Sequence, residues 1–496
     1  MRLPALTLTA IFVIGSLQAS AQAQTESSLQ DNIAALERQI TEMRTIMEEM
    51  KAEIVRTRTE AQELRQAIQN SRGQAEASVT ETADTQGTAA IQKLQEDQEL
   101  LNAKIDEQYQ TKVESASKYR VRLSGTVLVN LFDNVGSVDN VDFPSIAVDS
   151  GLVYRNGSLG GTLRQSLLGL ELFGPEVKGA KLNADLQFDF AGGFPNVPDG
   201  VALGLPRLRT GTVSLNWPKT TLIAGQDAPF FSPLSPSSIA SVALPAFSYS
   251  GNLWTWIPQI RLERRLDLTE NSNIRLQGGL LDPFDGEVPA YQYYRVSQAG
   301  EASRRPASAV RTAWTQKMFG HDLTVGASSY YSRQNWGFGR NIDAWAATSD
   351  WIVPLGSRFE FDGEFYRGRA IGGLGGGLGR SVVFNNLPSD PRTRIRGLNT
   401  TGGWAQIKFR QSDKLEWNGA YGEDTVRTRT VRFYPFFQQT YVGASITRNQ
   451  SALANFIYRP RSDLMLSLEY RRLRTFSLLT NYDVANHINL SMGVLF

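Results

Sequence analysis

From Tyr119 onward the chain repeats a pattern that few folds can satisfy: runs of about ten residues in which apolar and polar side chains alternate strictly. In 120–132 the odd positions include Val121, Leu123, Val127, Val129 and Leu131, and the even ones Arg120, Arg122, Ser124, Thr126 and Asn130. In 180–191 Leu182, Ala184, Leu186, Phe188 and Phe190 alternate with Lys181, Asn183, Asp185, Gln187 and Asp189. The pattern returns as Phe359, Phe361 and Phe365 against Glu360, Asp362 and Glu364, and as Leu464, Leu466, Leu468 and Tyr470 against Ser467, Glu469 and Arg471. Successive side chains of a strand point to opposite faces, so each run is a strand with one apolar and one charged face. Two architectures accept such strands: a transmembrane β-barrel and a soluble β-sandwich.

Three features favour the barrel. Connections alternate between short ones (near 174, 218, 267, 318, 354, 411 and 460) and long ones (near 133–160, 192–206, 228–252, 282–306, 333–341, 368–399, 424–443 and 476–483), the asymmetry of outer-membrane barrels. Seven turns and eight loops join sixteen antiparallel strands and return both ends of the barrel to the periplasmic side. The chain also stops at Phe496 after Ile488, Leu490, Met492 and Val494 on one face, like the aromatic-terminated last strand that barrel-assembly machinery recognises. Trp217, Trp351, Trp417 and Tyr458 at one set of strand ends, and Phe132, Phe190, Tyr331 and Phe365 at the other, suit interfacial girdles.

The first 118 residues follow other rules. Arg2, a short apolar run and Ala19-Ser20-Ala21-Gln22-Ala23 make a secretory signal peptide over 1–23; the apolar run is too short to favour a membrane anchor. From Leu29 two rows step by four and three without a slip: Leu29, Leu36, Met43, Met50, Thr57, Leu64 and Ile33, Ile40, Met47, Ile54, Ala61, Ile68. A strict 3.5-residue repeat predicts an α-helical, self-associating coiled coil over 24–70, whereas a lone amphipathic helix would drift towards 3.6. Residues 71–90 are small and polar, a flexible linker. A second, weaker helical segment covers 91–118, and the barrel covers 119–496.

Composition agrees only once it is divided. The chain holds 51 Lys+Arg and 49 Asp+Glu, but the first 118 residues take 12 and 18 of these, leaving a barrel with 39 basic and 31 acidic residues. Cysteine is absent and there are two histidines, His321 and His487, so disulfide scaffolds, thiolate metal sites and cysteine nucleophiles are excluded. No cofactor, metal ligand set or catalytic residue is assigned, and nothing points to nucleic acid.

Several stretches carry a family resemblance: TLRQSLLGLEL from Thr162, ALGLPRLRTGTVSLNWPKTTLIAGQ ending at Gln226, PQIRLERRL from Pro258, FDGEFYRGRAIGGLGG from Phe361, GGWAQIKFR from Gly402, SLEYRRLRT from Ser467 and the terminal NHINLSMGVLF. In this order they resemble the DcaP-like trimeric porins across the whole barrel. The chain departs from that pattern at Leu167, where a second Arg is common, and at Asp227 with the Pro-rich stretch after it. The resemblance implies a periplasmic coiled-coil extension, a sixteen-stranded barrel, a homotrimer in the outer membrane of a Gram-negative cell, and passage of small anions such as dicarboxylates.

A sixteen-stranded barrel encloses water, so its inward face selects the solute. Parity places Arg164, Arg207, Arg209, Arg261, Arg265, Arg275 and Arg311 inward, with Lys408 and Arg471. Guanidiniums stay charged and bind carboxylate or phosphate bidentately. Asp185, Asp189, Asp227, Glu263, Glu360, Asp362 and Glu364 oppose them, and the bland alternative is that these charges merely pair across strands. The uncharged, proline-stiffened loop 228–252 follows the fifth strand, where trimeric porins fold a loop inward; its contribution to a constriction is steric and apolar. The glycine run 372–379 reads as a flexible outer loop, and the acidic stretch 133–143 as a solvated one rather than a Ca²⁺ site. Two rival functions stay open: an envelope tether whose helical stalk reaches towards peptidoglycan, and an outer-membrane hydrolase, for which neither histidine has a motif-bearing serine partner.

Overall fold

The computed structural model describes residues 120–149, 156–193, 204–287, 295–434, 445–478 and 481–496. The expected leader, coiled coil, linker and second helical segment lie outside the described residues. The strands are β1 (Arg120–Val135), β2 (Gly157–Thr162), β3 (Leu167–Val177), β4 (Ala180–Asp189), β5 (Arg207–Asn216), β6 (Thr220–Asp227), β7 (Ile257–Thr269), β8 (Ser272–Leu281), β9 (Ala307–Met318) and β10 (His321–Asn335). They continue with β11 (Asn341–Pro354), β12 (Phe359–Arg369), β13 (Val382–Phe384), β14 (Ile395–Gly397), β15 (Asn399–Ser412), β16 (Leu415–Val426), β17 (Ile446–Arg461), β18 (Leu464–Ser477) and β19 (Asp483–Leu495).

β2 and β3 both pair with β1 and act as one wall strand interrupted at 163–166. Every other wall strand pairs antiparallel with its neighbour in sequence, β12 passing directly to β15. β13 and β14 form a separate ribbon inside the loop between β12 and β15. The ring of sixteen wall strands closes where β19 pairs with β1, from Thr126 opposite Leu495 to Val135 opposite Asn486. Two reciprocal backbone hydrogen bonds lock the seam: the Gly125 amide to the Phe496 carbonyl at 2.9 Å, and the Phe496 amide to the Gly125 carbonyl at 3.1 Å. A side chain at Gly125 would strike the Phe496 ring, so the glycine lets that ring cross the seam.

Burial decides between the two architectures. Leu131 is 53% exposed beside Asn130 at 0%, and Met492 is 49% exposed beside Ser491 at 1%. A sandwich buries its apolar face; here that face is outside and the polar face inside, the inversion a lipid solvent demands. The sandwich reading is thereby excluded. Two of the tight turns are two-residue hairpin loops with positive φ at both positions, Lys178-Gly179 and Phe319-Gly320, the geometry whose twist matches the flanking strands.

Three local expectations are corrected. Phe132 is no girdle residue: it faces inward, is buried, and stacks on His487 at 6.3 Å between ring centroids. The glycine run is buried rather than a flexible outer loop, forming two 3-10 turns (Gly372–Leu374 and Gly377–Gly379) packed beneath Trp254 and Leu253. A side chain at Gly373 would meet the Phe284 backbone, so glycine is what permits that contact. The acidic stretch is solvated only in part: Asp139 is exposed, with Oδ1 accepting from the amides of Ser145 and Ile146, both at 2.9 Å, whereas Asp142 is buried.

Candidate pore lumen

A break in the second wall strand begins the site. Between β2 and β3 the Ser166 amide donates to the Leu163 carbonyl at 2.9 Å, and the Ser166 hydroxyl accepts from the Leu128 amide at 3.0 Å. Alternation stops there, so Arg164, Gln165 and Ser166 are buried in succession. Arg164 turns to Asp142 of the first long loop, Nη1 to Oδ2 at 2.5 Å, and Gln165 turns to the third.

That third loop, L3 (228–256), is folded into the ring and bonded to its polar face on strand after strand. Thr348 Oγ1 on β11 donates to the Phe231 carbonyl at 2.6 Å. Glu364 on β12 accepts from the Ser232 hydroxyl at 2.5 Å and the Leu234 amide at 2.7 Å. Gln406 on β15 accepts from the Ser237 amide at 2.8 Å, and Glu469 on β18 from the Ser238 hydroxyl at 2.6 Å. Asn130 on β1 donates to the Ile239 carbonyl at 3.3 Å. Gln165 donates to the Ala240 carbonyl at 2.9 Å and accepts from the amides of Val242 and Ala243 at 2.8 and 3.1 Å. Arg207 on β5 reaches the Ala243 carbonyl at 2.6 Å. A loop without charges thus takes its polar partners from the wall, and its Phe231 and Phe247 sit in apolar clusters against inward Tyr330, Trp404 and Leu453.

The inward arginines are largely engaged. Arg207 forks onto Asp189, Nε to Oδ1 at 3.0 Å and Nη2 to Oδ2 at 2.6 Å. Arg209 stands 3.8 Å from the same carboxylate, and both guanidiniums lie over the Trp256 ring of L3, at 5.1 and 4.8 Å. Arg261 binds Asp227 and Glu263, each at 2.8 Å. Arg311 forks onto Asp350 at 3.0 and 2.6 Å and also holds Gln277 at 2.8 Å. Glu360 takes Lys408 at 3.0 Å and Arg410 at 2.9 Å, while Asp362 accepts from Gln406 Nε2 at 3.2 Å. Asp185 accepts from the Thr212 hydroxyl, and Arg471 pairs with Glu469 at 2.6 Å.

Towards the tight-turn end the picture changes. Arg265 and Arg275 are directly opposed across β7 and β8 and both are exposed. Arg265 reaches Asp267 at 2.6 Å, whereas among the described residues Arg275 makes no ion pair. Among the described residues Arg209 Nε and Nη1 have no hydrogen-bond partner, although Arg209 is only 9% exposed.

Parity finds the charged wall residues but says nothing of Trp256, Asp142 and Gln165. Trp256 and Asp142 are in loops, where period two says nothing. Gln165 lies in the bulge. Asp350 is inward by parity, but its reach depends on its neighbour: a side chain on Gly326, opposite it on β10, would collide with its carboxylate, so this glycine lets Asp350 cross to Arg311 on β9.

Neither histidine assembles a hydrolytic site. His487 is hydrogen-bonded to Asn134 at 2.7 Å and lies 3.4 Å from the Asn489 amide nitrogen, while His321 contacts the Ser357 carbonyl at 3.3 Å. Among the described residues neither meets a serine hydroxyl, and no group of three or more His, Asp or Glu side chains could hold a metal ion.

Over the long-loop end, the fourth and sixth long loops are clamped together by Glu287. Its Oε1 accepts from the amides of Ser381 and Val382 at 2.9 and 3.0 Å, while Oε2 is buried without a hydrogen-bond partner among the described residues. Burial, with Asp285 nearby as a second cause, pushes its carboxyl up to about 8.

The barrel has a counterpart among solved proteins. The crystal structure of the outer membrane channel DcaP of Acinetobacter baumannii matches with a TM-score of 0.57 at 17% identity, over 78% of this chain and 100% of that one. This barrel has the DcaP fold. The anion-selective porin from Comamonas acidovorans matches at 12% identity with a TM-score of 0.48, over 76% of this chain and 100% of that one. No protein-family model and no curated protein matches the sequence. The match to DcaP takes in about the share of the chain that the barrel occupies.

Proposed function

We propose that this chain is an outer-membrane porin giving passive passage to small hydrophilic anions, dicarboxylates or solutes of similar charge. The observation that carries the reading is the inversion of the ring: an apolar exterior around a polar interior of sixteen strands, with L3 bonded across it. Anion preference is supported by the basic excess of the barrel and by the facing, exposed Arg265 and Arg275. Arg261, Arg265 and Arg275 form the electrostatic track in this reading. Arg209, stacked on Trp256, is a fixed positive charge in the wall beside L3, and Arg207 shares Asp189 with it. The homotrimer, the periplasmic coiled coil and recognition of the Phe496 strand by the assembly machinery complete the proposal.

Planar-bilayer recording tests it. The zero-current potential in a KCl gradient is expected to show anion preference that weakens as salt rises and the Debye length falls. Replacing Arg261, Arg265 and Arg275 by Ala leaves Asp227, Glu263 and Asp267 without their guanidiniums and is expected to shift that potential towards cations. An unchanged potential would sink the lumen assignment.

A further inference from the structure

The long-loop end carries a concentration of arginine that the lumen reading does not use. β15 and β16 are paired up to Thr400 opposite Val426, and the pairing runs one step further through the Arg427 amide, which donates to the Asn399 carbonyl at 3.0 Å. The two chains leaving this hairpin each bear arginines at alternate positions, Arg394 and Arg396 on one and Arg427 and Arg429 on the other. Between them lies a cleft of about 490 Å³ lined by all four, with Asn385 and the Phe433 ring at its side. That volume suits a group larger than a single small ion.

All four arginines are exposed, and among the described residues none makes an ion pair. The nearest acids in the two loops are committed elsewhere. Asp390 accepts from the Arg392 amide at 2.8 Å and from Asn386. Asp424 is buried, bound to the Thr400 hydroxyl at 2.8 Å and the Leu378 amide at 3.0 Å. Four guanidiniums lining one cleft repel, and among the described residues no carboxylate is ion-paired with them; Arg429 has only the Phe433 ring, at 5.7 Å. An anion with several oxygens would, since each guanidinium offers a planar fork of donors matched to phosphate.

We propose that this cleft binds a multiply charged phosphate group, as a binding site distinct from the lumen. The inference goes beyond anion passage and stands whether or not the lumen selects anions. Phosphates of this kind occur on outer-leaflet glycolipids and on soluble polyanions, and the chemistry of recognition is the same for both.

Calorimetric titration of the full-length protein in detergent at low salt, with sodium tripolyphosphate as probe, tests the site. Saturable binding is expected, weakened about tenfold or more in R394Q/R396Q and independently in R427Q/R429Q, as the loss of one or two charge-assisted hydrogen bonds implies. No saturable binding to the wild type, or wild-type affinity in both variants, overturns the proposal. R261A/R265A/R275A is expected to keep wild-type affinity; if that variant loses tripolyphosphate, the anion sits in the lumen and the cleft assignment fails. Displacement of the probe by micelles carrying diphosphorylated lipid A, but not by phosphatidylethanolamine micelles, assigns the site to lipid, and persistence of the probe against both assigns it to a soluble polyanion.

Discussion

At the scale of single residues, the interior is built from charges that were removed from water together. Arg311 and Asp350 have 7% and 3% of their side chains exposed. A buried pair of this kind adds little net stability, because desolvation offsets attraction, but breaking it strands one charge. Asp350→Ala is therefore expected to cost about 3–5 kcal/mol in urea unfolding from detergent or lipid, with Asp350→Asn costing less because its amide oxygen still accepts from Arg311. Glu287 makes a separate prediction at the loops. Its carboxyl titrates near 8 in the folded protein, above the ordinary carboxylate range, so the folded state holds a proton that the unfolded chain has released. The stability it contributes is fully present below the ordinary carboxylate range and is lost as pH rises through about 8. Protection factors for the Ser381 and Val382 amides, corrected for intrinsic exchange, are expected to fall across that window in the wild type and to stay level in Glu287→Gln.

At the scale of elements, L3 is held by the wall rather than by itself. Gln165 supplies three of its hydrogen bonds from one buried amide, which the bulge between β2 and β3 turns inward. Gln165→Leu leaves two L3 amides and one carbonyl unpaired, a loss of about 1–3 kcal/mol for each buried group that water does not reach. Single-channel recording is expected to show larger conductance and more open-channel noise in this variant; traces identical to the wild type would mean that L3 is anchored without Gln165. The strands and both classes of connection were legible beforehand, because alternation and turn residues are local. The bulge was not, since Leu163–Ser166 obeys no period and its form depends on Leu128 and Phe190 of the flanking strands. The packed glycine run was hidden for the same reason: Gly373 and Gly375 matter through Phe284 and Trp254, which are distant in sequence.

At the scale of the whole molecule, the described strands close on themselves through β1 and β19 and need no further strand to satisfy the ring. The proposed stalk is therefore expected to be separable from the pore. Deleting residues 24–71 is expected to leave single-channel conductance unchanged while lowering the temperature at which the oligomer dissociates in detergent. Vanished conductance in correctly folded oligomers would show that stalk and pore act as one. The chain by itself determined the alternation, the count of wall strands, the loop asymmetry and the basic excess of the barrel, because each depends on residue type and spacing along the backbone. Tertiary structure alone decided which charges are spent on one another, which hold L3 and which stay open to a solute. Those outcomes depend on distances between strands far apart in sequence, as when Asp350 reaches over Gly326 to Arg311, and no period along one strand encodes them.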